Sequence, residues 1–386
     1  MRSTSRSLLV TAVASLTLIG GFVPSAQASP AFDVVATVSV GQSPFGVALS
    51  GDYAYVANYD SQSVSVIRRN DNTVSSTVTL PTGSGPRGIA LSGGKALVAN
   101  HDGNTVSVID TTLSPPVITA TVTVGSRPLG VAASDGFAYV TNFSSNTVSV
   151  IDTTLSPPAV TATVPVGSSP VGVSVSGGFA YVSNLSSNSV SVIRVSDNTV
   201  VGTIAGLSGP QFLAVSGGFA YVANSSSNSV SVIRLSDRTI VDTITVGNYP
   251  YAVAASQTYV YVTNFSSNSL SVIDIDTRTV IATVLMGQNP AGVATLGDSV
   301  FVSNYGGTTE SVIRVPADSG ITSTAELPPP WLQAYQRPAR DSACLDGWSP
   351  SWAQWPGSGT GGFTCERTEF WSSVTSSWAF NAGFRW

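Results

Sequence analysis

Along most of this chain, apolar and polar residues alternate in short runs, as in Ser189-Val190-Ser191-Val192 and Thr121-Val122-Thr123-Val124. A period of two belongs to pleated strands, where successive side chains point to opposite faces. The spacing of an amphipathic helix is absent after the leader. The runs come in fours, divided by turn residues. Residues 168–206 hold strand A (Gly172 to Val175), strand B (Phe179 to Asn184), strand C (Ser189 to Arg194) and strand D (Thr199 to Ala205), with Gly177-Gly178 and Asp197-Asn198 as tight turns.

This unit recurs in register. A proline stands at 44, 86, 128, 170, 210, 250 and 290, and an asparagine follows 14 residues later at 58, 100, 142, 184, 224, 264 and 304. The steps are 42, 42, 42, 40, 40 and 40 residues. The extra residues fall in turns, at Ser114-Pro115-Pro116 and Ser156-Pro157-Pro158, and in the crossing Pro81 to Gly85. Four-stranded units near 40 residues are blades, whose radial repetition protects their edges. The A-B-C portion occurs seven times, but the seventh copy (Gly292 to Val315) has no strand D after it; an unclaimed strand D stands at the start, Val34 to Val40. The expectation is an all-β, seven-bladed β-propeller with four antiparallel strands per blade, closed by this N-terminal strand joining the last three-stranded repeat.

The repeat also resembles a known family. YVAN (55 to 58), YVTN (139 to 142), YVSN (181 to 184), YVAN (221 to 224) and YVTN (261 to 264), each preceded by PxGV or a variant and followed by SVSVI or a variant, resemble the YVTN-family β-propeller repeat. The resemblance spans residues 32 to about 316, with LVAN and FVSN as the departing copies. It implies a propeller that is exported or surface-layer-like, in a family often without an assigned activity and sometimes fused to enzymes. WD40 repeats are a poor match, because no blade contains Trp and the only His is His101.

The termini differ from the repeats. Residues 1–28 carry Arg2 and Arg6, an apolar run from Leu8 to Val23, and Ala26-Gln27-Ala28, the layout of a cleaved signal peptide. The run is short for a membrane span, and no later stretch approaches one. The organisation read here is a signal peptide (1–28), a propeller (29–320), a Pro-rich linker (321–330) and a Trp/Cys-rich module (331–386). That module holds all seven Trp and both Cys. In an exported chain, Cys344 and Cys365 are expected to pair, closing a loop of about 20 residues worth roughly 3 kcal/mol. Trp348, Trp352 and Trp355 serve as mini-domain core or cap, or else as a stacking surface for polysaccharide. Trp378, Phe380, Phe384 and Trp386 alternate as an amphipathic final strand.

Charge narrows the partners. Without the leader, 14 basic residues face 21 acidic ones, a net −7 that disfavours nucleic acid. Charged residues make up only 10% of the chain, a profile suited to an extracellular β-protein.

In a propeller the D-to-A crossings and B-to-C loops open on one face, around the central channel. The B-to-C loops read NYDSQ, NHDGN, NFSSN, NLSSN, NSSSN, NFSSN and NYGGT. They are read as turn formers capping local backbone, with a ring of sugar-binding amides as the sharper alternative. The Asn-X-Ser sequons at Asn142, Asn184, Asn224 and Asn264 are a by-product of the repeat.

Residues that break the repeat are more informative, because the scaffold does not call for them. On this face they are Phe45, Arg87, Arg127, Gln211, Tyr249 and Tyr251 beside the prolines, and Asp60, His101 and Asp102 in the loops. Arg87, His101 and Arg127 are candidates for an anion-binding edge, since an Arg fork matches carboxylate or phosphate; Gln211 and Tyr251 complete the candidate ligand site. No catalytic, metal or cofactor site is assigned. His101 is alone, the Cys lie outside the propeller, Asp197 and Asp237 belong to turns, and Glu310 is the only Glu in the repeats, read as standing where Ser or Thr is usual. The function expected is a non-catalytic, monomeric, secreted or cell-surface scaffold for an extracellular protein or cell-wall polysaccharide. The alternative is a channel-site enzyme of lactonase-like or quinoprotein-like type.

Overall fold

The computed structural model describes residues 32–316 and the backbone of 348–353 and 362–367. Residues 33–314 form seven four-stranded antiparallel sheets. Contacts divide the chain into two units, Met1–Ala317 and Asp318–Trp386. In the second, strands Trp348–Ala353 and Gly362–Arg367 pair antiparallel, with Trp352 opposite Phe363 and Pro350 opposite Cys365. The signal peptide, the linker, Cys344, Trp355 and the 378–386 alternation lie outside the described residues, and with them the expected disulfide and aromatic surface.

The fourth blade runs Pro170–Ser176, Phe179–Asn184, Ser189–Arg194 and Thr199–Ala205, so strands B, C and D fall where the pattern puts them. Strand A starts two residues earlier than expected, on the proline itself, a position where no ladder donor is required. The ring closes as expected. Asp33–Ser39 pairs antiparallel with Thr309–Arg314, one residue displaced from the predicted closing strand, and completes the sheet of Pro290–Leu296 and Ser299–Asn304.

Strands B and C are buried on both faces, because each blade is sandwiched between two others. In Tyr53–Asn58 and Ser63–Arg68 only the end residues Tyr53 and Arg68 are exposed. The alternating serines of strand C are therefore not solvent-facing, and the recurrent asparagine supplies their partner. Asn184 Nδ2 donates to Ser189 Oγ at 3.2 Å and Ser191 Oγ at 2.9 Å. The bond to the hydroxyl seven residues on recurs in all seven blades, from Asn58–Ser65 to Asn304–Ser311. Buried hydroxyls demand such partners, and this explains an Asn and a Ser held at a fixed distance. Around them Val, Ile and Tyr form an apolar cluster at each blade junction, such as Tyr139, Val148, Val150, Val173, Val182 and Ile193 between blades 3 and 4.

Strand A lines the axis. In every blade its pairing slips between the proline and the third residue after it, as between Pro44↔Asn58 and Val47↔Val56. This is a bulge in the Pro-X-Gly segment. The glycine lets strands A of successive blades converge: a Cβ on Gly46 would lie 2.3 Å from the Arg87 carbonyl oxygen, and one on Gly292 2.2 Å from that of Phe45.

Candidate active site

Bulge and loop together build the channel mouth from stacked rings of seven residues. The X of Pro-X-Gly contributes Phe45, Arg87, Leu129, Val171, Gln211, Tyr251 and Ala291. The residue after each asparagine contributes Tyr59, His101, Phe143, Leu185, Ser225, Phe265 and Tyr305. A third ring precedes the prolines, and all seven of its members (Ser43, Gly85, Arg127, Ser169, Gly209, Tyr249, Asn289) have φ between 51° and 64°. The rings are tied by backbone: the N–H of each second-ring residue donates to the carbonyl of the third-ring residue in its blade, as Tyr59 to Ser43 and Phe265 to Tyr249. In five blades the last asparagine of the loop reaches the next blade, with Asn104 Oδ1 accepting from Arg127 N and Asn228 Oδ1 from Tyr249 N, and in blade 1 Gln62 Oε1 accepts from Gly83 N. These amides are spent on the scaffold, so the capping reading describes them and a sugar-binding ring of amides does not.

With the frame fixed, the rings differ only in side chains, and blade 2 is where an Arg, a His and an Asp come together. His101 Nδ1 lies 2.7 Å from Asp102 Oδ1, and Tyr59 donates its hydroxyl to Asp102 Oδ2 at 2.8 Å. Although burial works against it, the carboxyl of Asp102 is held below its ordinary pKa by the bonds from His101 and Tyr59. An ionised carboxylate only accepts, so Nδ1 carries the proton and Nε2 is left as a base. The imidazole is held neutral: burial, helped by the charges of Arg87 and Arg127, lowers its pKa against the pull of Asp102.

Arg87 lies over two rings, its guanidinium carbon 5.0 Å from the Phe45 centroid and 4.8 Å from that of Tyr59. It makes no ion pair among the described residues, and its buried Nε has no hydrogen-bond partner. Cation–π contact holds the group in place without neutralising it. The structure thus brings Arg87, His101 and the exposed Arg127 into one electrostatic neighbourhood.

Of the remaining candidates, Gln211, Tyr249 and Tyr251 lie in blades 5 and 6 and Phe45 and Asp60 in blade 1. Gln211 is buried, and its amide donates to Ser225 Oγ at 3.1 Å and to Tyr249 Oη at 3.4 Å, so it braces Tyr249. Tyr251 packs against Phe45, with centroids 5.7 Å apart, and burial raises its hydroxyl pKa despite the opposing charge of Arg87. Asp60 accepts from Ser43 Oγ. Below this floor the lumen is small and apolar, about 120 Å³ bounded by residues such as Val47, Ile89, Val131, Leu213 and Val293. The charged and titratable departures Arg87, His101, Asp102 and Arg127 are therefore at the mouth and not among these lumen residues.

Sequence reasoning missed Tyr59, Phe212, Phe265 and Tyr305. Their signal was present: Phe212 replaces the bulge glycine of blade 5, and the other three share His101's position in the repeat. Glu310 needs correction. It stands opposite Ser303 as Val190 stands opposite Ser183, so it replaces a buried valine and not a Ser or Thr. Among the described residues, no three His, Cys, Asp or Glu side chains converge as metal ligands.

A closed seven-blade ring with an Arg-His-Asp cluster on one side of its mouth defines the chain as a propeller with an asymmetric channel mouth. It belongs to the family Lactonase, 7-bladed beta-propeller, whose model matches residues 25–241, more than half the chain. Residues 247–282 match the LVIVD repeat. No curated protein sequence matches the chain.

Among solved structures, hydrazine synthase from Kuenenia stuttgartiensis is 20% identical, with 72% of this chain and 96% of that one covered at a TM-score of 0.63. Virginiamycin B lyase from Staphylococcus aureus is 14% identical over 72% and 98% of the two chains, at 0.64. A streptogramin B lyase is 13% identical over 71% and 94%, at 0.62. At these identities the likeness is one of fold.

Membership in the lactonase family overturns the expectation of a non-catalytic chain. That expectation relied on the scarcity of catalytic constellations: a lone His101, a single Glu, no Cys within the propeller, and recurrent Asp read as turn residues. A repeat protein needs catalytic groups in one copy only, so a His that does not recur is no argument against an enzyme.

Proposed function

We propose that the chain is a lactone-opening hydrolase, exported by its leader, with its active site at the blade 2 sector of the channel mouth. The carrying observation is the pair of His101 and Asp102 at 2.7 Å, which presents a neutral, oriented base near a guanidinium that makes no ion pair among the described residues. Family membership supports the reaction class.

His101 Nε2 removes a proton from water as its oxygen attacks the lactone carbonyl, and Asp102 steadies the imidazolium that forms. Arg87 faces the negative charge developing on the carbonyl oxygen. Collapse of the adduct breaks the ring C–O bond, and His101 returns the proton to the departing alkoxide. The product is a hydroxy acid, whose carboxylate stays opposite Arg87.

The test is acid release from a panel of lactones in a pH-stat. His101→Phe borrows the residue that Phe143 and Phe265 place at the same position, so folding is preserved, and hydrolysis is expected to fall by about a hundredfold or more. Lactone opening that survives this substitution unchanged defeats the assignment.

A further inference from the structure

The aromatic side chains of the mouth form a continuous wall leading from the solvent edge to the base. Tyr249 and Tyr251 are near-parallel, at 13° with centroids 6.4 Å apart, and Phe265 packs against both, at 6.0 and 5.8 Å. Phe265 meets Tyr305 at 6.1 Å, Tyr305 meets Tyr59 at 6.5 Å, and Tyr59 meets His101 at 6.4 Å. Phe45 joins Tyr251 and Tyr305 at 5.7 Å each and carries Arg87 on its face. The repeat does not require these rings, since the same positions hold Leu185, Ser225 and Val171 in other blades.

Tyr249 is the most telling member. It is 41% exposed, so its ring contributes little to the core. It occupies left-handed backbone, φ 53°, where blades 2 and 5 use Gly85 and Gly209, blades 1 and 4 Ser43 and Ser169, blade 7 Asn289 and blade 3 Arg127. A large side chain is disfavoured in that region. Its hydroxyl nonetheless receives a bond from Gln211, a buried amide that only this blade junction possesses among the seven bulge positions. A strained, exposed ring held from behind by a buried group suits a contact with something outside the chain.

We propose that the substrate is an aryl lactone, its aromatic group seated against Tyr249, Tyr251 and Phe265 and its carbonyl directed to Arg87 and His101. The inference builds on the lactone-opening reading and adds the substituent. Planar rings favour planar rings through offset and edge-to-face contacts, and the charged end of the wall accepts the one polar group such a molecule carries. The site is thus amphipathic, with an aromatic half in blades 6, 7 and 1 and a cationic, basic half in blade 2.

The probes are dihydrocoumarin, δ-valerolactone as the bare ring and δ-decalactone as an alkyl counterpart. The purified chain is expected to open dihydrocoumarin with kcat/KM at least tenfold above either of the others after correction for intrinsic reactivity. Tyr249→Asn, which keeps a residue suited to the left-handed backbone, and Phe265→Leu, borrowed from Leu185, are each expected to lower that preference by about fivefold to tenfold, mainly through KM. Binding of the ring-opened product 3-(2-hydroxyphenyl)propanoate, measured by calorimetry, is expected to weaken in the same variants.

A preference for δ-decalactone, or a ratio unmoved by both variants, overturns the aryl assignment while leaving lactone opening intact. If no lactone is opened but the arylpropanoate binds and Tyr249→Asn weakens it, the hydrolytic reading fails and the aryl site stands. If no lactone is opened and the arylpropanoate does not bind, both fail.

Discussion

Glu310 faces Ser303 across two strands of the closing blade, fully buried, at a level where Val190 faces Ser183 in blade 4. Its neighbour on the other side is Val38 of the N-terminal strand. Neither carboxyl oxygen makes a well-formed hydrogen bond, and burial pushes the carboxyl up to about 8, against a weaker pull from the Ser303 hydroxyl. The seam that closes the ring therefore contains a carboxylic acid that stays neutral at physiological pH.

Stability should accordingly fall as pH rises. The unfolded chain ionises this group near 4.5, whereas the folded one keeps the proton until about 8. Across that interval the native state holds one more proton, so its stability drops by about 1.4 kcal/mol per pH unit and levels off above it. Glu310→Val, the residue other blades use, is expected to remove this slope and to be more stable at pH 8 by about 3 kcal/mol or more. Urea titrations of both proteins from pH 5 to 9 test this; parallel curves would refute it.

The pH dependence of lactone opening should show opposite shifts in two variants. On the proposed mechanism activity needs neutral His101 and rises through its pKa, which lies below the usual 6.5. Arg87 lowers that pKa, so Arg87→Leu, copied from Leu129, moves the acid limb upward. Asp102 raises it, so Asp102→Ser, copied from Ser144, moves the limb further into acid and cuts kcat by about a hundredfold through loss of the fixed tautomer. The pH profiles of kcat/KM decide the matter.

Asn184→Ala should be costly although it lies in no catalytic sector. It removes the donor to Ser189 and Ser191 and leaves two buried hydroxyls unsatisfied. A loss of about 2–4 kcal/mol is expected, read from chemical denaturation.

Ring closure should depend on the N-terminal strand. A chain beginning at Gly41 lacks the partner of Thr309–Arg314 and exposes that edge. It is expected to unfold at lower temperature and to self-associate, and a peptide of residues 33–40 should restore monomer and melting point, as followed by light scattering and calorimetry.

Much of this was legible in the sequence because the repeat tests itself seven times. Blade count, strands B to D and the closing strand follow from the Pro and Asn series and a missing strand D, since one register must serve every copy. Arg87 and His101 were visible as departures from that register. Asp102 was visible too, but only folding joined it to the imidazole. Glu310 was misread, because one misplaced residue in a period-two pattern exchanges the hydroxyl-bearing face of strand C for its valine face.

The sequence by itself determined the ring, because burial of alternating Val and Ile between identical blades leaves one way to satisfy all seven copies. What only the tertiary structure decided is which departures meet. Residues 45, 87, 101, 249 and 305 are remote along the chain, and closure of the ring places one residue from each blade around a single axis. There, the charge of Arg87 and the burial of the imidazole set the state of His101, and no local pattern encodes that proximity.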